Sequence, residues 1–307
     1  MATTRRDFLA TSAAAAAGGV LLRPHALLAR QAQEAVGVFT PIRRNVGFFT
    51  MRGGTIGHLV NDDAVAVVDS QFPDQAAVCL AGLNERSGDR PVDVLINTHH
   101  HGDHSGGNAA FRGSARKVVA HEMAAEHMRN PPGSQAPADQ LFPDTTFIDE
   151  WTMDLGDETV RARHYGRAHT SGDAVITFEQ ANVAHMGDLL FHRRPPVVDR
   201  AAGATLRGWM QVLDRTVADH PRDTVYIFGH AAAGLPVTGT YTDMVRFHDY
   251  IEAVLGWVGA QVRAGSSRDE ILARTEPLAG FEDYGPFGNP GAREIRTCAW
   301  EEITGGA

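Results

Sequence analysis

The chain has 307 residues, 43% of them hydrophobic and 21% charged, a balance that suits a globular protein with a sizeable core. Its net charge of −9 and the lack of a long basic stretch argue against a nucleic-acid partner. No run of about twenty apolar residues marks a stable membrane span.

The first 33 residues read as an export signal rather than as structure. Arg5-Arg6-Asp7-Phe8-Leu9 opens a twin-arginine pattern, and an alanine-rich stretch follows over 10–22. Small residues at Ala26, Ala29 and Ala32 then offer cleavage points. The expected organisation is a signal over 1–33 and one folded domain over 34–307, delivered to the periplasm. The signal carries four arginines and one aspartate, so its removal leaves a more acidic protein. Such a chain suits a small-molecule substrate better than a polyanion.

The folded part begins with strands expected over 48–51, 55–60 and 64–68, with Gly53-Gly54 and Asn61-Asp62-Asp63 as turns. Phe48, Phe49 and Met51 could form an apolar flap or pack as core. A helix is expected over 74–86, then a continuous apolar run over 92–96, the pattern of a buried strand. A helix start near Ser105, a strand over 117–120 and a helix over 121–128 follow. The segment 130–143 is rich in Pro, Gly and Ser and reads as a long loop. Strands are expected over 159–164, 174–178 and 182–185, and 193–203 reads as irregular. A helix over 205–219, a strand over 224–228, a long helix over 240–263 and a short one over 267–274 precede a Gly/Pro-rich tail. Cys79 and Cys298 are expected to be separate small hydrophobes, although an oxidising compartment permits a bridge between them.

The segment Thr98-His99-His100-His101-Gly102-Asp103-His104 directly follows the buried strand expected over 92–96. Imidazole nitrogen and carboxylate oxygen are suitable zinc donors. Ligands this close in sequence cannot easily face one ion, whereas alternate residues can diverge toward two. Gly102 and Gly106-Gly107 allow the tight backbone this requires. Three more candidates, His169, Asp188 and His230, each lie just past the carboxyl end of an expected strand and beside small residues. Ligands from several strands converging at one sheet edge is how α/β folds make sites. Next to Asp188, His192 and Arg193 could contact substrate, an arginine there gripping a carboxylate in bidentate fashion.

These motifs resemble those of the metallo-β-lactamase superfamily. His99-x-His101-x-Asp103-His104 is similar to the family's His-x-His-x-Asp-His signature. His169-Thr170-Ser171-Gly172, Gly187-Asp188 and Gly229-His230 follow in the family's order. The resemblance implies a four-layer αββα sandwich and a centre of two Zn2+, with Fe or Mn able to take the same donors. It implies that His99, His101 and His169 hold one ion, that Asp103, His104 and His230 hold the other, and that Asp188 bridges them. Asp103 would also orient the attacking water. The implied activity is hydrolysis of a lactone, thioester or amide-like bond. Asp188 stands where the main lactamase class carries cysteine, which moves the chain away from efficient antibiotic hydrolysis. The alternatives are a phosphodiesterase on the same scaffold and an exported, non-catalytic metal-binding protein.

Overall fold

The computed structural model describes residues 36–286 and 288–305, so the export signal expected over 1–33 lies outside the described residues. Seven strands form the first sheet in chain order: β1 (Val38–Arg43), β2 (Val46–Thr50), β3 (Ile56–Val60), β4 (Val65–Val68), β5 (Val94–Asn97), β6 (Val118–His121) and β7 (Thr145–Phe147). The first four pair antiparallel through short turns. From β4 onward the pairing is parallel, because a helix or loop returns the chain each time. The crossover from β4 to β5 is α1 (Pro73–Ser87), and the one from β5 to β6 contains the single turn α2 (Gly102–Ser105).

The second sheet contains β8 (Glu150–Asp154), β9 (Thr159–Arg163), β10 (Val175–Phe178), β11 (Val183–His185), β13 (Val225–Ile227) and β15 (Thr238–Gly239). Their order across the sheet is β15-β13-β11-β10-β9-β8. Two short strands, β12 (Phe191–His192) and β14 (His230–Ala231), pair in parallel beside it. The helices are α3 (Glu122–Arg129), α4 (Leu206–Asp219), α5 (Tyr241–Arg263), α6 (Arg268–Ala273) and α7 (Pro290–Thr304).

The strand period of two sends alternate residues to opposite faces, and β4, β5, β6, β10 and β11 are buried on both. In β4, Ala66 and Val68 pack into the core between the sheets, while Val65 and Val67 pack outward against Ala76, Cys79 and Leu83 of α1. In the second sheet, Val183 and Ile227 face inward. Ala184 and Tyr226 face outward onto Trp209, Val212 and Leu213 of α4 and Phe247 and Val254 of α5. Two sheets face to face with helices on both outer sides make the αββα sandwich.

Several expectations are corrected. β1, β7 and β8 were not anticipated. The helix expected to start near Ser105 is a single turn over Gly102–Ser105, with His101 as its N-cap. The expected Gly/Pro-rich tail contains α7: Asn289 caps it by accepting from the Gly291 amide, and Pro290 occupies its first turn. Phe49 is fully buried under α1 and Phe48 packs against the core between the sheets, so neither forms a flap. As expected, Cys79 and Cys298 are separate: both are free and buried in the outer layers of different sheets.

Candidate metal centre

The candidate ligands gather at one edge of the sandwich because they lie on the connections between strands or at strand ends there. His99 to His104 leave β5 and enter α2, His169 precedes β10, Asp188 follows β11, and His230 begins β14. Two glycines let the backbone approach closely. Gly187 adopts φ +49°, and a Cβ there would meet Thr98 Oγ1 at 2.4 Å. A Cβ on Gly229 would lie 2.1 Å from Asp188 Oδ1.

Two donor sets result. His99, His101, His169 and Asp188 form one, and Asp103, His104 and His230 form the other, with donor atoms within 4.8 Å of one another in each set. Asp188 connects them. Its Oδ2 lies 3.6 Å from His169 Nε2 and 4.0 Å from His99 Nε2. Its Oδ1 lies 3.0 Å from His104 Nε2 and 3.3 Å from His230 Nε2. One carboxylate thus presents one oxygen to each set. His230 Nε2 is also 3.1 Å from Asp103 Oδ2, and His101 Nδ1 is 2.9 Å from His169 Nε2.

The outward nitrogens of four imidazoles are tied down. His99 Nδ1 meets Thr98 Oγ1 at 3.0 Å, and His101 Nε2 meets Asp199 Oδ2 at 2.9 Å. His104 Nδ1 meets Asp69 Oδ2 at 2.7 Å, and His169 Nδ1 meets the Val197 carbonyl at 2.9 Å. Such contacts fix the ring orientation and aim the other nitrogen inward. His99 Nε2, His104 Nε2 and Asp188 Oδ1 are buried and make no well-aligned hydrogen bond, although the last two lie 3.0 Å apart. Buried polar atoms are rarely left so, and three that converge with imidazole and carboxylate chemistry fit a bound cation.

Burial lowers the His169 pKa to about 3, helped by His101, so it is a neutral donor. Burial also holds His99 well below its ordinary value, with His104 and His101 adding to the effect. At His230 burial works against the charge, but Asp188 and Asp103 outweigh it and raise the pKa to about 9.

Sequence reading missed Asp69, Asp199 and Thr98. Asp69 is fully buried one residue past β4, in a left-handed conformation (φ 64°). Besides His104 it accepts from the Thr98 amide and from Thr98 Oγ1, both at 2.8 Å. Its position at a strand end was the available signal. Asp199 lies in the irregular stretch 193–203 and also approaches His100 Nε2 at 3.5 Å, which turns His100 away from the two sets.

The expected substrate contacts, His192 and Arg193, have polar partners of their own. His192 Nδ1 meets the Pro236 carbonyl at 2.7 Å, and its Nε2 lies 3.5 Å from Asp243. Arg193 pairs with Asp243 and Asp283 at 3.5 and 3.4 Å. The next residue, Arg194, lines a cavity of about 280 Å³ together with His230, Thr55 and Met51. A second cavity of about 370 Å³ borders His101, Asp199, Met128 and Gln140 under the 130–143 loop.

Residues 52–230 match the family described as the metallo-beta-lactamase superfamily. A metallo-beta-lactamase from Pontibacter korlensis has a similar fold, with a TM-score of 0.55 and 20% identity over 70% of this chain and 97% of that one. The 2,4-dinitroanisole O-demethylase subunit alpha of Nocardioides sp. (strain JS1661) is 27% identical over 49% of this chain and 45% of its own. The hydroxyacylglutathione hydrolase of Rhodopseudomonas palustris (strain BisA53) is 38% identical over 24% of this chain and 29% of its own. The chain therefore spans less than half the length of these two curated relatives.

Proposed function

The chain belongs to the metallo-beta-lactamase superfamily, and from that premise we propose that it is a dinuclear zinc hydrolase of an ester-like or amide-like carbonyl bond. The observation that carries this reading is Asp188, whose two oxygens face two separate donor sets. His99, His101 and His169 would hold one ion, and Asp103, His104 and His230 the other, with Asp188 shared. Ions held by these residues would lower the pKa of a water and polarise a carbonyl oxygen.

The chain's own part is to aim, orient and exclude water. Thr98, Asp199, Asp69 and the Val197 carbonyl hold the imidazoles in one tautomer each. Asp103 is the more open of the two carboxylates, with 28% of its side chain exposed against 4% for Asp188. That exposure supports Asp103 as the group that would accept a hydrogen bond from the attacking water and orient it.

Export to the periplasm is part of the proposal and rests on Arg5-Arg6. Replacing both with lysine should retain the precursor in the cytoplasm, and unchanged export would remove this element. The test of activity is metal analysis followed by a panel of lactone, thioester, β-lactam and phosphodiester substrates on zinc-loaded protein. The relative named for 2,4-dinitroanisole adds an aryl methyl ether to that panel. Asp103→Asn is the control: turnover of a carbonyl substrate by wild type, lost in the variant, is expected. Equal turnover by the variant would overturn the role given to Asp103.

A further inference from the structure

We propose that Gly54-Thr55, just before β3, and His185 of β11 form the positioning element of one metal ion, the one assigned to Asp103, His104 and His230. The proposal rests on the dinuclear reading above and concerns what holds that half of the centre in place.

Three observations carry it. The first is a hydrogen-bonded bracket between the two sheets. His185 is fully buried at the end of β11. Its Nε2 lies 3.0 Å from the Thr55 carbonyl, and its Nδ1 lies 3.1 Å from the Gly187 amide. A carbonyl can only accept, so Nε2 carries the proton and Nδ1 accepts from Gly187. Thr55 is itself buried and donates its hydroxyl to the Gly229 carbonyl at 3.1 Å. Thr55 thus holds the residue before His230 directly and the residue before Asp188 through His185.

The second is the close approach of Gly54. Its amide donates to the Asp103 carbonyl at 3.0 Å, and its carbonyl accepts from Nε2 of the fully buried Gln71. A Cβ on Gly54 would overlap the Cε1–Nε2 edge of the His104 ring. That edge carries the nitrogen that faces Asp188. A residue without a Cβ is what this approach requires.

The third is selectivity. The backbone or ring of Asp103 and His104, and the glycines before Asp188 and His230, all meet this bracket. His99, His101 and His169 are fixed elsewhere, by Thr98, Asp199 and the Val197 carbonyl. Asp188 serves both sets, but Gly229 packs against its Oδ1, the oxygen that faces His104 and His230. The bracket therefore acts on one half of the centre.

The experiment uses the full zinc-loaded chain and chelator competition resolved into two dissociation steps. Asp69→Asn, which alters the carboxylate behind His104, marks the step of the ion in question, and Asp199→Asn marks the other. Thr55→Val, His185→Gln and Gly54→Ala should each weaken the marked ion about 10- to 100-fold and leave the other step in place. Thr55→Ser restores the hydroxyl and should restore the affinity. His185→Asn puts an acceptor where Nδ1 stands, whereas His185→Gln puts a donor where Nε2 stands. The asparagine variant keeps the Gly187 amide paired and should retain more of the affinity. A Thr55→Val protein that loses stability to urea but keeps both steps would overturn the proposal, as would variants that weaken both steps alike. The readout is bound metal, so a lack of turnover on every substrate would count against the hydrolase reading and not against the bracket. Wild type that binds fewer than two ions would overturn the dinuclear reading and the proposal with it.

Discussion

The two donor sets share Asp188 but are built on opposite electrostatic plans. His99, His101 and His169 are imidazoles, and burial keeps His99 and His169 uncharged. The other set contains the carboxylate of Asp103, has Asp69 behind His104, and holds His230 protonated up to about pH 9. The first set is ready to donate lone pairs. The second is occupied by protons that a cation must displace. The centre thus has one half that is preformed and one half that would exchange protons for metal, and the asymmetry can be tested position by position.

The largest effect is expected where the two halves meet. Asp188→Asn should lower bound metal from two ions per chain to one or fewer. Hydrolytic kcat/KM should fall on the order of 10³-fold, equivalent to about 4 kcal/mol of barrier. Elemental analysis and the substrate panel read this directly. Two retained ions with full turnover would show that the halves do not depend on this carboxylate.

The residues behind each half should separate them. Asp69→Asn is expected to loosen the ion held by His104, and Asp199→Asn the ion held by His101, each about 10- to 100-fold. Chelator competition that resolves two dissociation steps would assign each variant to one step. If both variants weaken the same step, the division into halves is wrong.

Proton linkage gives a smaller and sign-specific effect in the metal-free protein. His169 has a lowered pKa, so its contribution to stability is present above about pH 6.5 and is lost as pH falls toward 3. His230 has a raised pKa, so its contribution is present below about pH 6.5 and is lost as pH rises through 9. The urea midpoint should therefore fall on both sides of a maximum near pH 6.5. His169→Ala should flatten the acid limb and His230→Ala the alkaline limb. Loss of the same limb in both variants would contradict the opposed plans.

The outline of this centre was readable in the sequence because its ligands sit where strands end, and buried strands announce themselves as apolar runs. Val92, Val94 and Ile96 pointed to His99, and Val225 and Ile227 pointed to His230. The supporting residues were less legible. Asp199 reaches His101 across 98 residues and Asp69 reaches His104 across 35; the parallel pairing of β4 with β5 brings the second pair together, and only tertiary packing brings the first. Arg194 could not be told from Arg193, because the difference lies in Asp243 and Asp283, which tertiary structure delivers to one and not the other. Helix α7 was hidden because Pro290 and Gly291 read as breakers, yet proline at the start of a helix removes an amide that has no partner there.

The smallest expected effect tests whether the halves communicate. Thr98 Oγ1 lies between them, 3.0 Å from His99 Nδ1 and 2.8 Å from Asp69 Oδ2. Asp69 is in turn 2.7 Å from His104 Nδ1. The hydroxyl has one proton to give, so the consistent assignment is donation to Asp69 and acceptance from His99. A chain of three hydrogen bonds then runs behind the centre from one half to the other. Thr98→Val keeps the shape and breaks the chain, leaving His99 Nδ1 without a partner. Stability should fall by about 1–3 kcal/mol, the usual cost of an unsatisfied buried group. More telling is the coupling: in wild type, loss of one ion should weaken retention of the other, and in Thr98→Val the two steps should become more independent. Thr98→Ser restores the hydroxyl and should restore the coupling. A valine variant that loses stability but keeps the coupling would show that the halves communicate through Asp188 alone.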